Sequence, residues 1–158
     1  MRIKLIAVGT RMPKWVQQGY NEYAQRMPNL CQLELVEIPA KKRGKNADTA
    51  RILRDEANAL QKAIATDSLV IALDRKGKHI DTESLAVHLQ NWINESQDVA
   101  LLVGGPEGID PSYLKNVQRI WSLSSMTFAH PVIRVMLAEQ LYRAWSINAN
   151  LPYHRGDS

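Results

Sequence analysis

A single cysteine, Cys31, is all the chain has for disulfide chemistry. An intramolecular disulfide framework is excluded, and a lone thiol reads as a small core or interface residue. Long hydrophobic stretches are missing too. The apolar runs reach about five or six residues, far below the roughly 18 that span a bilayer. The opening Met1-Arg2-Ile3-Lys4-Leu5 alternates like a strand and lacks the apolar centre of a signal peptide. These absences lead to the expectation of a cytoplasmic protein. The chain also lacks a G-x-G-x-x-G fingerprint, a phosphate-binding G-x-x-x-x-G-K-S/T loop and a G-x-S-x-G nucleophile elbow. His79, His88, His130 and His154 stand at spacings that fit no metal motif, so no metal is expected.

What is present has the balance of one soluble domain over residues 1–158, with 45% hydrophobic and 23% charged residues. The net charge of +4 is unevenly placed. Residues 1–60 hold 11 Lys+Arg against 6 Asp+Glu, and the remainder is slightly acidic. The densest point is Lys41-Lys42-Arg43-Gly44-Lys45. Such an excess favours a polyanionic partner, while a solvated loop is the plainer explanation.

Strand and helix patterns alternate along the chain. Arg2–Val8 reads as a strand and Pro13–Met27 as a helix with the stripe Val16, Tyr20, Tyr23 and Met27. Gln32–Ile38 is a strand of mixed faces, and 39–46 is a basic loop. Asp48 caps a helix reaching about Ala65, with Leu53, Ala57, Leu60 and Ile64 inward. Ser68–Leu73 is a doubly buried strand, followed by a charged turn around Gly77. Asp81 or Thr82 caps the next helix, which carries Leu85, Leu89, Trp92 and Ile93. Val99–Val103 is a second fully apolar strand. Asp110-Pro111 opens a short helix, Gln118–Leu123 is the last strand and Pro131–Asn148 the last helix. The expected fold is α/β, a mostly parallel sheet sandwiched by helices.

The richest stretch is Val99 to Tyr153. Its buried strand ends in Gly104-Gly105-Pro106-Glu107-Gly108, where an open α/β sheet places a ligand or simply makes a tight turn. Leu73 lies beside it if the two apolar strands are neighbours. Ser124-Ser125-Met126-Thr127-Phe128 offers backbone polar groups to a planar ring between apolar walls, and it also fits a polar loop. The last helix is apolar on nearly every side, which points to burial against a second subunit in a homodimer. His130, before Pro131, has the makings of a cap or a base. Tyr153, His154 and Arg155 combine a stacking ring, a titratable base and a cation, useful only if the tail folds onto a site.

Ordered blocks over nearly the whole chain carry a resemblance. They include Ala7-Val8-Gly9, Met12-Pro13-Lys14-Trp15-Val16, Glu37-Ile38-Pro39-Ala40, the run from Lys42 to Asp48, Leu102-Val103-Gly104-Gly105-Pro106-Glu107-Gly108, His130-Pro131, Tyr142-Arg143-Ala144-Trp145-Ser146-Ile147 and Pro152-Tyr153-His154-Arg155. With these the sequence closely resembles the small, ribosome-modifying members of the SPOUT methyltransferases. Only Gly156-Asp157-Ser158 extends past the usual end. The resemblance implies a C-terminal trefoil knot, a rare exception to un-knotted topology. It implies S-adenosylmethionine as methyl donor, at positions matching Leu73, Gly104 and the run Leu123, Ser124, Ser125, Met126, Thr127, Phe128. Gly105 is counted with them. It further implies a homodimer whose second subunit completes the site, and methylation of N3 of a pseudouridine in 23S ribosomal RNA within the assembled ribosome.

Methyl transfer to a ring nitrogen requires positioning of the donor and removal of the N3 proton. His154 is the candidate base, with Tyr153 as stacking ring and Arg155 or Arg143 as phosphate holder. A tail that serves only as a lid is the alternative. Lys41, Lys42, Arg43 and Lys45 are the expected RNA contacts. A non-catalytic ribosome-associated module of the same fold, or a SPOUT enzyme acting on tRNA, are the rival readings.

Overall fold

The computed structural model describes residues 1–155, so Gly156-Asp157-Ser158 lies outside the described residues. Five parallel strands form one sheet in the order β2-β1-β4-β3-β5, with β1 at Arg2–Val8, β2 at Gln32–Ile38, β3 at Leu69–His79, β4 at Val99–Val103 and β5 at Arg119–Ser122. The helices are α1 (Lys14–Ala24), α2 (Thr49–Ala63), α3 (Thr82–Asn94), α4 (Pro111–Leu114) and α5 (His130–Asn148). The α/β sandwich expected from alternation is what forms.

Side-chain alternation on the strands explains the layering. Ile3, Leu5, Ala7, Val99, Leu101 and Val103 point into one core with residues of α1, α3 and α5. Ile6, Val8, Ala100 and Leu102 point into the other with Leu60 of α2 and Ile109. All five residues of β4 are buried, as a central strand covered on both faces requires. The aspartates foreseen as caps do that work. Asp48 accepts from the Arg51 amide at 3.2 Å, Asp81 from Ser84 at 2.7 Å and Asp110 from Ser112 at 3.2 Å.

Four expectations need correction. The helix α1 stops at Ala24 rather than Met27, because Pro28 forces the chain out and Gln25 to Met27 close as turns. On α2 the inward residues are Ile52, Glu56, Ala57 and Leu60, with Leu53 at the margin. The segment Asp74–Ile80 is not simply a turn. Trp121 pairs first with Leu73 and again with Lys78, so 74–77 bulges out and β3 resumes to His79. Gly77 is there for close approach, since a Cβ would sit 2.6 Å from the Ile120 carbonyl oxygen. Finally, α5 lies inside its own layer, packed between α1 and α3. Last in sequence, it is central in space, which explains much of its all-round apolar character.

A candidate active site at the carboxyl edge of the sheet

The loops leaving β3, β4 and β5 converge on one cavity of about 590 Å³. Parallel strands all present their carboxyl ends on the same edge, so three separated stretches of sequence meet there. Leu73, Gly104, Gly105, Leu123, Ser124, Met126, Thr127 and Phe128 all line it. Ser125 does not. It is exposed, with its hydroxyl 3.4 Å from Nε2 of His79.

Each wall has a local cause. In the turn after β4, the Gly108 amide donates to the Gly105 carbonyl at 2.9 Å, with Pro106 in the position that favours its fixed φ. Gly108 has φ +80°, which suits glycine. Gly104 is pressed so close that a Cβ would meet the Gly108 carbonyl carbon at 2.4 Å. In the loop after β5, the Ser122 hydroxyl donates to the Ser124 carbonyl at 2.8 Å, and the Met126 amide donates to the Ser124 hydroxyl at 3.0 Å. These bonds hold the loop open as a rim, with Met126 70% exposed.

The sequence reading left Asp74, Arg75, Val103, Ser122, Ala129 and Ile133 out of the lining, and named Glu107 within the glycine turn and His130 as a cap or base without placing either side chain at the cavity. Their signal was adjacency: Val103 ends the buried strand, and Ile133 lies one turn into α5 beyond His130. Burial, reinforced by the charges of Arg134 and Arg43, holds the His130 imidazole below its ordinary pKa. Its Nδ1 is buried and makes no hydrogen bond to protein. Arg134 itself is occupied, donating to Glu37 at 2.6 Å and to the Gly9 carbonyl at 2.8 Å. A cavity of this volume with apolar walls, exposed backbone turns and an unpaired imidazole nitrogen fits a nucleoside-bearing donor.

The basic loop stands against this site. Lys41, Lys42 and Lys45 are exposed. Arg43 is not free for a phosphate, because its Nε lies 2.5 Å from Glu107 and its Nη2 lies 3.0 Å from Glu56. Glu56 went unnoticed in the sequence, although its spacing from Ile52 and Leu60 puts a carboxylate in the apolar stripe of α2.

The tail folds back onto α5 rather than into the edge cavity. Tyr153 meets Tyr142 edge-on at 4.9 Å, lies under the Arg143 guanidinium and donates to Glu139 at 3.3 Å. Arg143 is paired to Glu139 at 2.6 Å and donates to His154 Nδ1 at 3.1 Å. An arginine only donates, so Nδ1 accepts and the proton of the neutral ring sits on Nε2, 3.5 Å from Glu83. His154 lines a second cavity of about 710 Å³ with Trp15, Val132, Val135 and Met136, and Leu123 lines both cavities. Arg155 is exposed. Within one chain, then, His154 neighbours the edge cavity through Leu123, and none of the three tail residues lines that cavity.

Comparison with known proteins accords with this geometry. Residues 1–154 match the family described as "Predicted SPOUT methyltransferase". The chain is also 54% identical over 155 residues to the ribosomal RNA large subunit methyltransferase H of Thioalkalivibrio sulfidiphilus, covering 98% of this chain and 99% of that one. With a parallel sheet, a glycine turn and an apolar rim meeting at one edge, and a match over nearly its full length, the chain belongs to the SPOUT methyltransferase family.

Proposed function

We propose that the chain methylates N3 of a pseudouridine in 23S ribosomal RNA within the assembled ribosome, acting in the cytoplasm as a homodimer. The observation that carries this reading is the junction of the edge cavity with a loop of three exposed lysines. A donor site and a polyanion-binding surface touch one another. The name borne by the 54% identical relative supports the same target. Among the described residues no helix is long and apolar enough to cross a membrane.

SPOUT methyltransferases use S-adenosylmethionine, which when bound supplies an electrophilic methyl group. Leu73, Val103, Leu123, Phe128 and Ile133 would hold it and exclude water, and the backbone of Gly104 and of 123–128 would meet its polar edges. His130, kept neutral by burial and by two arginines, adds no positive charge to a cavity meant for a cation. The base ring must also lose its N3 proton. His154 is the proposed acceptor, and Arg143 must then release Nδ1, since both ring nitrogens are engaged in the folded-back tail. Tyr153 is the proposed stacking ring, with Arg143 and Arg155 for phosphate.

A second copy is proposed to complete the site. The outward side of α5 and α1 supports it, for Trp15 is 57% exposed beside the half-buried Val132, Val135 and Met136. The trefoil knot stays part of this proposal. It rests on membership of the family, and the packing of α5 between α1 and α3, after the loops that wall the cavity, is compatible with it.

Mass spectrometry of 23S rRNA from cells with and without the gene tests the reading. The N3-methyl mark on one pseudouridine should vanish with the gene and return with the wild-type copy. A mark lost from tRNA instead would move the enzyme to another substrate. An unchanged RNA in a strain lacking the protein would overturn the activity.

A further inference from the structure

One buried carboxylate takes no part in the scheme above. Glu56 of α2 is 2% exposed. It receives the Lys41 amide at 3.2 Å and Arg43 Nη2 at 3.0 Å. The same guanidinium donates through Nη1 to the Lys41 carbonyl at 2.9 Å and through Nε to Glu107 at 2.5 Å. It also abuts the glycine turn, where a Cβ on Gly105 would lie 3.3 Å from Nη2. One planar fork thus joins α2, the basic loop and the turn that walls the donor cavity.

Two energetic facts follow from that geometry. Swinging Arg43 out to an RNA phosphate would leave Glu56 buried with its charge unpaired, which is strongly unfavourable. A lysine cannot replace it, because a point charge does not span two carboxylates and a carbonyl with fixed directions. We propose that Arg43 is a positioning residue for the donor site and not an RNA contact. It holds Glu107 and the Gly105–Gly108 turn in the form the donor requires. Donor affinity therefore depends on how the 39–47 loop is seated, and the exposed Lys41, Lys42 and Lys45 of that loop take the RNA phosphates. The inference rests on the donor-site reading above.

Calorimetric titration with S-adenosylhomocysteine on wild type, Arg43→Lys, Glu107→Gln and the double variant is the test, joined to the salt dependence of 70S ribosome binding. Arg43→Lys and Glu107→Gln should each weaken binding of this probe about five- to tenfold, with the double variant no worse than the weaker single. KM for the donor should rise while kcat on saturating ribosomes changes less. The ribosome salt slope of Arg43→Lys and Arg43→Gln should match wild type. Glu107 is partly exposed, so its variant tests the link even if the arginine variants fold poorly. Wild-type affinity in both single variants, or losses that simply add in the double, overturns the proposal. So does an Arg43→Gln variant that loses about one unit of salt slope while keeping the probe, for that marks a phosphate-binding arginine. If wild type itself takes no probe, the donor-site reading falls and this inference with it.

Discussion

At Gly104 a single hydrogen atom stands where any other residue would drive a carbon into the carbonyl of Gly108. Gly104→Ala should therefore abolish donor binding in a calorimetric titration, at a stability cost of about 1–3 kcal/mol in denaturant unfolding. His130 makes a different prediction. Burial, with Arg134 and Arg43 nearby, depresses its pKa in the folded state, so the unfolded chain binds the proton more readily. The stability that neutral His130 contributes is complete above its ordinary value of about 6.5 and is lost as pH falls through the lower folded value. His88, depressed chiefly by burial, pulls the same way. Melting temperatures between about pH 7 and pH 5 should fall for wild type and fall less steeply for His130→Asn. Equal slopes would remove His130 from the account. These residues show where the sequence was legible. Leu73, Gly104 and Phe128 could be read, since buried strand ends and a resemblance mark them. The Arg43–Glu56 pair could not, because its members stand 13 positions apart across loop, cap and the first turns of α2, and only the packed α2 brings them together.

Elements add what single residues do not. The loop at 39–47 divides its charge: Arg43 faces inward, and three lysines face out. Replacing Lys41, Lys42 and Lys45 together by Ala should flatten the salt dependence of ribosome binding, by roughly 0.7–0.9 in slope for each phosphate no longer neutralised. Donor affinity measured without ribosomes should hold. A salt slope equal to wild type would reduce the three lysines to solubilising charge. The strands, the caps at Asp48, Asp81 and Asp110 and the buried β4 were legible because alternation and cap chemistry are local. The return of β3 at Lys78 was not, because it depends on β5, whose Trp121 is used twice. The excursion at 74–77 brings Asp74 and Arg75 to the edge cavity, so this unread feature belongs to the candidate site. Gly77→Val should tear it, lowering the melting temperature and weakening donor binding together, since its side chain would overlap the Ile120 backbone.

For the whole molecule, the outward patch of Trp15, Val132, Val135 and Met136 sets the question of assembly. Trp15→Glu with Met136→Glu should convert a dimer to a monomer in sedimentation equilibrium and strip ribosome methylation, while leaving the far-ultraviolet spectrum intact. A wild-type chain that sediments as a monomer at micromolar concentration would defeat the homodimer. The placement of α5 between α1 and α3 has a further consequence, in time rather than in space. Arg134 on α5 bonds the carbonyl of Gly9, 125 residues upstream, and Leu137, Ala138, Leu141 and Ala144 fill the core shared with α1 and α3. While the chain is being synthesised, the apolar sides of α1 and α3 are covered only in part, by the strands, until α5 has left the exit tunnel. The native layer closes only once α5 has emerged, through pairings of great sequence separation that form slowly. A nascent chain stalled before His130 should stay protease-sensitive throughout and bind chaperones, however complete its strands, and release of α5 should bring protection to the whole domain at once.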